Sequence, residues 1–206
     1  STHELVQHEQ IDTPVKRSIT PLTADEQLDL NLSRYSYRRQ LVNGDGNCFF
    51  TAVASQLIKL SNQNHYFRIA IQERLNLSED LFNNLTQLAR RLRKLVCLEW
   101  KTHATKYKPY INDVNYYDEI RKFRSDRFYS SILGDILPLT ICNLIGINIK
   151  IITNLSQCPL IDICPHDESL IPMKTLPTLT LAYNQENDGH YDIAVEKIEK
   201  NIRNNF

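Results

Sequence analysis

A cysteine, Cys48, closes the turn Asn43-Gly44-Asp45-Gly46-Asn47, and far downstream a histidine, His190, closes the turn Asn187-Asp188-Gly189. The chain has only five glycines, and three of them, Gly44, Gly46 and Gly189, stand beside this thiol and this imidazole. Glycine is needed where φ is positive or where another part of the molecule must come close. Two tight turns have therefore been built around one Cys and one His. That pair performs nucleophilic chemistry: the sulfur attacks an acyl carbon while the imidazole takes a proton and later returns it. Asp192 stands two residues beyond His190, and residues at i and i+2 share one face of a strand. Asp192 can reach the ring nitrogen that His190 does not use on Cys48. There it would fix the tautomer and stabilise the imidazolium, as the third member of a triad does.

Cys48 also opens an apolar run, CFFTAVASQLIKL, that reads as a buried helix. A helix N-terminus favours negative charge, and the turn before it aims backbone N–H groups outward. The N–H groups of Asp45, Asn47 and Cys48 are candidates for binding a developing oxyanion. Each residue has a plainer reading. An isolated Cys after a turn is a buried structural thiol, and an isolated His beside an acid is an exposed loop residue. Their joint presence favours the site.

The elements that must bring these residues together change in period along the chain. Residues 1–22 are polar, contain Pro14 and Pro21, and read as an N-terminal arm. Thr23-Ala24-Asp25-Glu26 opens a short helix to about Leu32, and Tyr35–Val42 runs extended into the turn. After the Cys48 helix, a second helix carries Phe67, Ile71 and Leu75. A third is expected over 79–100, with Leu81, Leu85, Leu88, Leu92 and Leu95 inward and Arg90, Arg91, Arg93 and Lys94 on the wet side. Residues 101–129 are aromatic and irregular, with a short helix near 117–123. Asp135 is a candidate cap for a helix over 136–145, with Pro138 in its first turn and Gly146 ending it. Strict alternation follows at Ile147–Ile151, and two more strands read at Leu179–Tyr183 and Tyr191–Val195, joined by a short polar loop. Helices first and strands last predict an α+β domain over 23–196, with helices packed on a mainly antiparallel central sheet. Residues 197–206 are a tail or a helix end.

Composition excludes several classes. The 206 residues carry 24 basic and 24 acidic side chains, a formal charge of zero, so no bulk attraction to nucleic acid is expected. No apolar run has the length of a membrane span, and the first twenty residues lack the apolar core of a signal peptide. The sequence starts at Ser1 and its only methionine is Met173. It reads as trimmed, or as a piece of something longer. Five cysteines without a disulfide-like spacing predict free thiols in a reducing compartment. Asn43-x-Asp45-x-Asn47 starts like a calcium loop but has Cys48 at the glycine position and Ala54 at the final acidic one. Cys158, Cys164 and His166 lack a fourth zinc ligand, so no metal is expected.

The two turns resemble the paired motifs of the ovarian-tumour (OTU) cysteine proteases. Asp45-Gly46-Asn47-Cys48-Phe49-Phe50-Thr51-Ala52 is similar to the family's nucleophile motif, and Tyr183-Asn184 through Gly189-His190-Tyr191-Asp192 to its histidine motif. The segment from Asp135 to Ile151 is similar to the middle of the domain, and the resemblance spans about residues 35–196. Two departures are visible: Phe50-Thr51 stands where Phe-Arg is frequent, and no Trp precedes Gly134. The resemblance implies a papain-like fold and hydrolysis of (iso)peptide bonds after the C-terminal glycine of ubiquitin, through a thioester on Cys48. It makes His190 the base and then the acid, Asp192 its orienting partner, and Asp45 a shaper of the turn. It needs no cofactor. Ubiquitin and polyubiquitin chains are the implied partners of a monomeric protein in a cytoplasm, that of a host cell if the source is an intracellular bacterium. Gly46, Glu186, Asp188, Gly189 and Tyr191 would border the substrate, with the two acids facing a basic tail, and Tyr107, Tyr110, Tyr116 and Tyr117 are candidates to dock the globular part. The alternatives are a ubiquitin-binding module without turnover and a papain-like protease for another ubiquitin-like protein.

Overall fold

A computed structural model of the chain describes residues 21–112, 114–129, 131–166 and 177–197. Residues 1–20 of the polar arm and 198–206 of the tail lie outside that description.

Helix α1 (Ala24–Arg34) begins at a capping box: Thr23 Oγ1 accepts the Glu26 N–H at 3.2 Å and Glu26 Oε2 accepts the Thr23 N–H at 2.8 Å. Five strands form one sheet: β1 (Tyr37–Gln40), β2 (Ile149–Thr153), β3 (Leu160–Ile163), β4 (Leu179–Asn184) and β5 (His190–Glu196). Their order is β1-β5-β4-β2-β3. Only the β2–β4 pairing is parallel, so the sheet is mainly antiparallel as the sequence predicts. Alternation along the strands divides the core in two. Ile152, Ala182 and Ala194 pack under Leu28 and Leu32 of α1. Ile151, Leu181 and Ile193 face the larger cluster built by the other helices.

Helix α2 (Cys48–Gln63) is the spine of that larger cluster, with Phe49, Phe50, Ala52, Val53, Ala54 and Leu57 all buried. It packs on β5, on β4 and on α4 (Leu85–Thr102). Around it stand α3 (His65–Leu75), α5 (Ala104–Tyr107), α6 (Tyr116–Phe123), the one-turn α7 (Ser131–Gly134) and α8 (Leu137–Ile145).

Three local expectations are corrected. The single helix over 79–100 is two elements, a 3-10 turn over Glu79–Asn83 and then α4. Asn84 breaks it, because its side chain accepts the Gln87 N–H at 3.0 Å and caps a new start. The inner stripe of α4 is accordingly Leu88, Ala89, Leu92, Arg93, Val96, Cys97 and Trp100, while Leu85 is exposed and Leu81 and Leu95 are half-buried. Arg93, expected in water, is 2% exposed. Asp135 does not cap α8, which starts from Ile136 without a side-chain cap; Pro138 does lie in its first turn, and Gly146 ends it at φ 75°. Strand β3 was not expected, because its four residues sit between two proline-flanked cysteines.

Candidate active site

The β4–β5 hairpin sets the imidazole. Asn187, Asp188 and Gly189 all take positive φ, at 53°, 68° and 83°, and reverse the chain so that Asn184 pairs with His190. Gly189 is required here twice over. Its φ is left-handed, and a Cβ would stand 2.5 Å from the Tyr183 hydroxyl. His190 and Asp192 then project from one face of β5, and His190 Nε2 lies 3.1 Å from Asp192 Oδ1. The other ring nitrogen, Nδ1, is not engaged by Asp192, and Cys48 lies near enough to the imidazole to favour its protonated form. Gly44 lies against that side of the ring, where a Cβ would stand 3.7 Å from Nδ1, an ordinary van der Waals contact.

Asp192 is 1% exposed, and a buried carboxylate needs compensation. Its Oδ1 also accepts the Val42 N–H at 2.7 Å, and its Oδ2 faces Arg39 Nη1 at 3.7 Å. Arg39 is in turn held by Asp25 at 2.5 Å and Asp29 at 3.1 Å, both on α1. Asp25 Oδ1 also accepts the Asn184 amide at 3.0 Å. Asp192 is therefore tied to β1 and, through Arg39, to α1. The Asp192 hydrogen bond, and after it the contact with Cys48, push the His190 pKa up to about 10 against the opposing effect of burial. Both contacts favour the protonated imidazolium at neutral pH.

Cys48 is the first residue of α2 and is 5% exposed. The turn before it is closed by its own side chains. Asp45 Oδ1 accepts the Asn47 N–H at 3.0 Å in an Asx turn, and the Asp45 N–H donates to the Asn43 carbonyl at 3.0 Å. Two of the three N–H groups expected to bind an oxyanion, those of Asp45 and Asn47, are thus engaged inside the loop. Among the described residues the Cys48 N–H has no acceptor, and it is the one of the three left open. Gly46 has φ 79°, and a Cβ on it would collide with the Arg127 carbonyl. Its glycine is explained by that close approach of backbone.

A cleft of about 460 Å³ exposes this centre, with Gly46, Cys48, Glu186, Gly189 and His190 in its wall. Tyr129 also lines it, a residue the sequence did not single out. Asp188 sits at the hairpin tip outside the wall. Tyr191, expected to border substrate, is 4% exposed and packs edge-on against Phe49 at 4.9 Å. It alternates with His190 and Asp192 along β5 and so points to the opposite face. Of the four tyrosines offered for docking, Tyr107 and Tyr116 are core, whereas Tyr110 and Tyr117 are about half exposed. A second cleft of about 350 Å³ lies between the far end of α2 and strands β1 and β5, and no cysteine or histidine lines it.

Behind the nucleophile turn stands Arg93, which sequence reasoning had placed on the surface. All five of its N–H donors are used. Nη2 donates to the Gly46 carbonyl at 2.6 Å and to Asn47 Oδ1 at 2.8 Å, and Nε donates to the same Oδ1 at 3.2 Å. Nη1 donates to the Phe123 carbonyl at 2.9 Å and the Phe128 carbonyl at 2.6 Å. The guanidinium lies between the Phe50 and Phe123 rings, 4.7 and 4.9 Å from their centroids.

Several solved structures are similar to this chain, among them three of OTU proteins. The OTU domain of OTUD1 superposes with a TM-score of 0.53 at 18% identity, covering 84% of this chain and 95% of that one. OTUB1 in complex with ubiquitin aldehyde and UBCH5B~Ub gives 0.60 at 16% identity, covering 82% and 80%. OTUB1 from a complex with ubiquitin aldehyde and UBC13~Ub gives 0.58 at 14%, covering 83% and 85%. No family model and no curated protein matches the sequence. The chain has the fold of OTU domains.

Proposed function

We propose that this protein is a cysteine protease that hydrolyses the peptide or isopeptide bond after the C-terminal glycine of ubiquitin. The reading rests on the meeting of Cys48, His190 and Asp192 in one open cleft, on a fold shared with OTU domains, two of whose solved relatives are complexes with ubiquitin aldehyde. The Cys48 sulfur attacks the glycine carbonyl, and the developing oxyanion is taken by the Cys48 N–H. His190 carries the proton at this stage and gives it to the leaving amine, so the C–N bond breaks and a thioester remains. The now neutral imidazole takes a proton from water, hydroxide adds to the thioester, and the thiol leaves with that proton returned to the Cys48–His190 pair. Asp192 holds the ring in register through both halves. The residue best placed to meet a basic substrate tail is Glu186, which is exposed and in the cleft wall.

The test is cleavage of ubiquitin carrying a fluorogenic C-terminal amide. The wild-type chain should turn it over, and Cys48→Ala should lose turnover while still binding ubiquitin. Turnover persisting in Cys48→Ala would refute the assignment.

A further inference from the structure

Asn47 is the N-cap residue of α2, yet its side chain does not cap. Three other asparagines in the same chain hold the same position and do. Asn64, Asn84 and Asn115 accept the third-residue N–H of α3, α4 and α6 at 3.0, 3.0 and 3.2 Å. Their ψ values are 105°, 96° and 105°, in the extended region that capping requires, whereas Asn47 has ψ 2°. The difference has a visible cause. Both ends of the Asn47 amide are taken: Oδ1 by Arg93, and Nδ2 by Asp126 Oδ1 at 3.0 Å. Asp126 is itself held by Arg90 at 3.1 Å.

We propose that Arg93 and Asp126 are positioning residues that keep Asn47 from capping its own helix, so that the first-turn N–H groups of α2 stay open toward Cys48. The inference deepens the protease reading and rests on Cys48 being the nucleophile. Released from the clamp, Asn47 would turn toward the geometry of the other three and place its amide oxygen on the Phe50 N–H. That swing would bring a partial negative charge to the helix end that should stabilise the thiolate and the oxyanion. It would also rotate the Asn47–Cys48 peptide and with it the sulfur. The groups that interact electrostatically with Cys48 from the surrounding elements are His190 on β5, Arg93 on α4, and the phenols of Tyr129, Tyr183 and Tyr191. Arg93 could act on the thiol simply by its charge, so the decisive variant keeps the charge and removes the planar fork.

The experiment measures the rate at which iodoacetamide alkylates Cys48, followed on the Cys48 peptide by mass spectrometry across neutral pH, with folding checked by thermal melting. Arg93→Lys should alkylate about tenfold more slowly at neutral pH. Asn47→Ala cannot cap and should stay within about twofold of wild type. The double variant should behave like Asn47→Ala, because removing the amide removes the capping group. The proposal is overturned if Arg93→Lys matches wild type, which would leave charge as the whole effect. It is equally overturned if the double variant is as slow as Arg93→Lys, since the loss would then bypass Asn47. Should Arg93→Lys not fold, Asp126→Ala on the half-exposed side releases the other end of the amide. It should slow alkylation, and Asn47→Ala should reverse the loss; an unchanged rate would remove Asp126 from the clamp. Alkylation needs no ubiquitin. If the wild type alkylates fast but never cleaves ubiquitin, the function assigned above fails while the clamp is still tested.

Discussion

The imidazole of His190 is poised by a carboxylate that water barely reaches. Because the Asp192 hydrogen bond is the largest cause of the raised His190 pKa, removing its charge should let that pKa fall back toward the ordinary 6.5. The leaving amine needs a proton from His190, so the alkaline limb of kcat/KM belongs to the imidazolium. Asp192→Asn should therefore move that limb to lower pH and reduce kcat/KM, by less than His190→Ala does; a limb that stays in place in a pH–rate series would contradict the assignment. Glu186→Lys should raise KM for ubiquitin about two- to fivefold with little change in kcat, as befits an exposed charge at the rim of a cleft. Comparing the two parameters by steady-state kinetics checks it. At this scale the meeting of Cys48, His190 and Asp192 in one cleft was legible because the cues are local: glycine turns beside Cys48 and His190, and a spacing of two to Asp192. Arg93 was not legible as a partner. It was read by the cationic company it keeps, although it falls on the helical stripe of Ala89, Val96 and Trp100. Tyr191 was misplaced for want of the alternation that had already put His190 and Asp192 on the opposite face.

Each group of the proposed catalytic centre is delivered by the end of an element and not by its middle. Cys48 comes from the first turn of α2, His190 from the first residue of β5, and the Val42 N–H from the chain leaving β1. The turn geometry before each therefore matters more than the length of the element. Gly189→Ala would force a side chain into left-handed backbone and against the Tyr183 hydroxyl. It should cost about 1–3 kcal/mol in urea unfolding and lower kcat, because strain relieved at residue 189 re-aims residue 190. A variant with full stability and full activity would show that the hairpin has slack. Elements with a strong period, α2, α3, β4 and β5, were readable from sequence to within a few residues. The break at Asn84 was not, because Leu81, Leu85 and Leu88 continue an apolar rhythm across it and only the cap of Asn84 divides them. Strand β3 escaped for a related reason: four residues give too short an alternation, and its pairing with β2 is a tertiary fact.

In the whole molecule, α1 lies on the face of the sheet from which His190 and Asp192 project, and a chain of charges runs from its Asp25 and Asp29 through Arg39 to Asp192. Leu32 is fully buried in the small cluster that seats α1, and Leu32→Ala should destabilise the chain by about 2–5 kcal/mol in urea unfolding. An unchanged midpoint would mean that α1 is a passive cover. The raised pKa of His190 also links the site to global stability. The folded state binds that proton more tightly than the unfolded one, so its stabilisation is complete below pH 6.5 and is lost as the pH rises through about 10. Unfolding free energy should decline across that window, and His190→Ala should flatten the decline. The OTU fold was legible only because two short motifs matched in order, since composition alone gives no more than an α+β domain without bulk charge.

The central claim is that Cys48 is the one thiol to which His190 and this fold direct ubiquitin. Ubiquitin carrying an electrophile at its C-terminus tests it most directly, with the adduct mapped by mass spectrometry among the five cysteines. The account predicts a single covalent adduct on Cys48, absent in Cys48→Ala and much slower in His190→Ala. An adduct on another cysteine, or none while iodoacetamide still modifies Cys48, would contradict it.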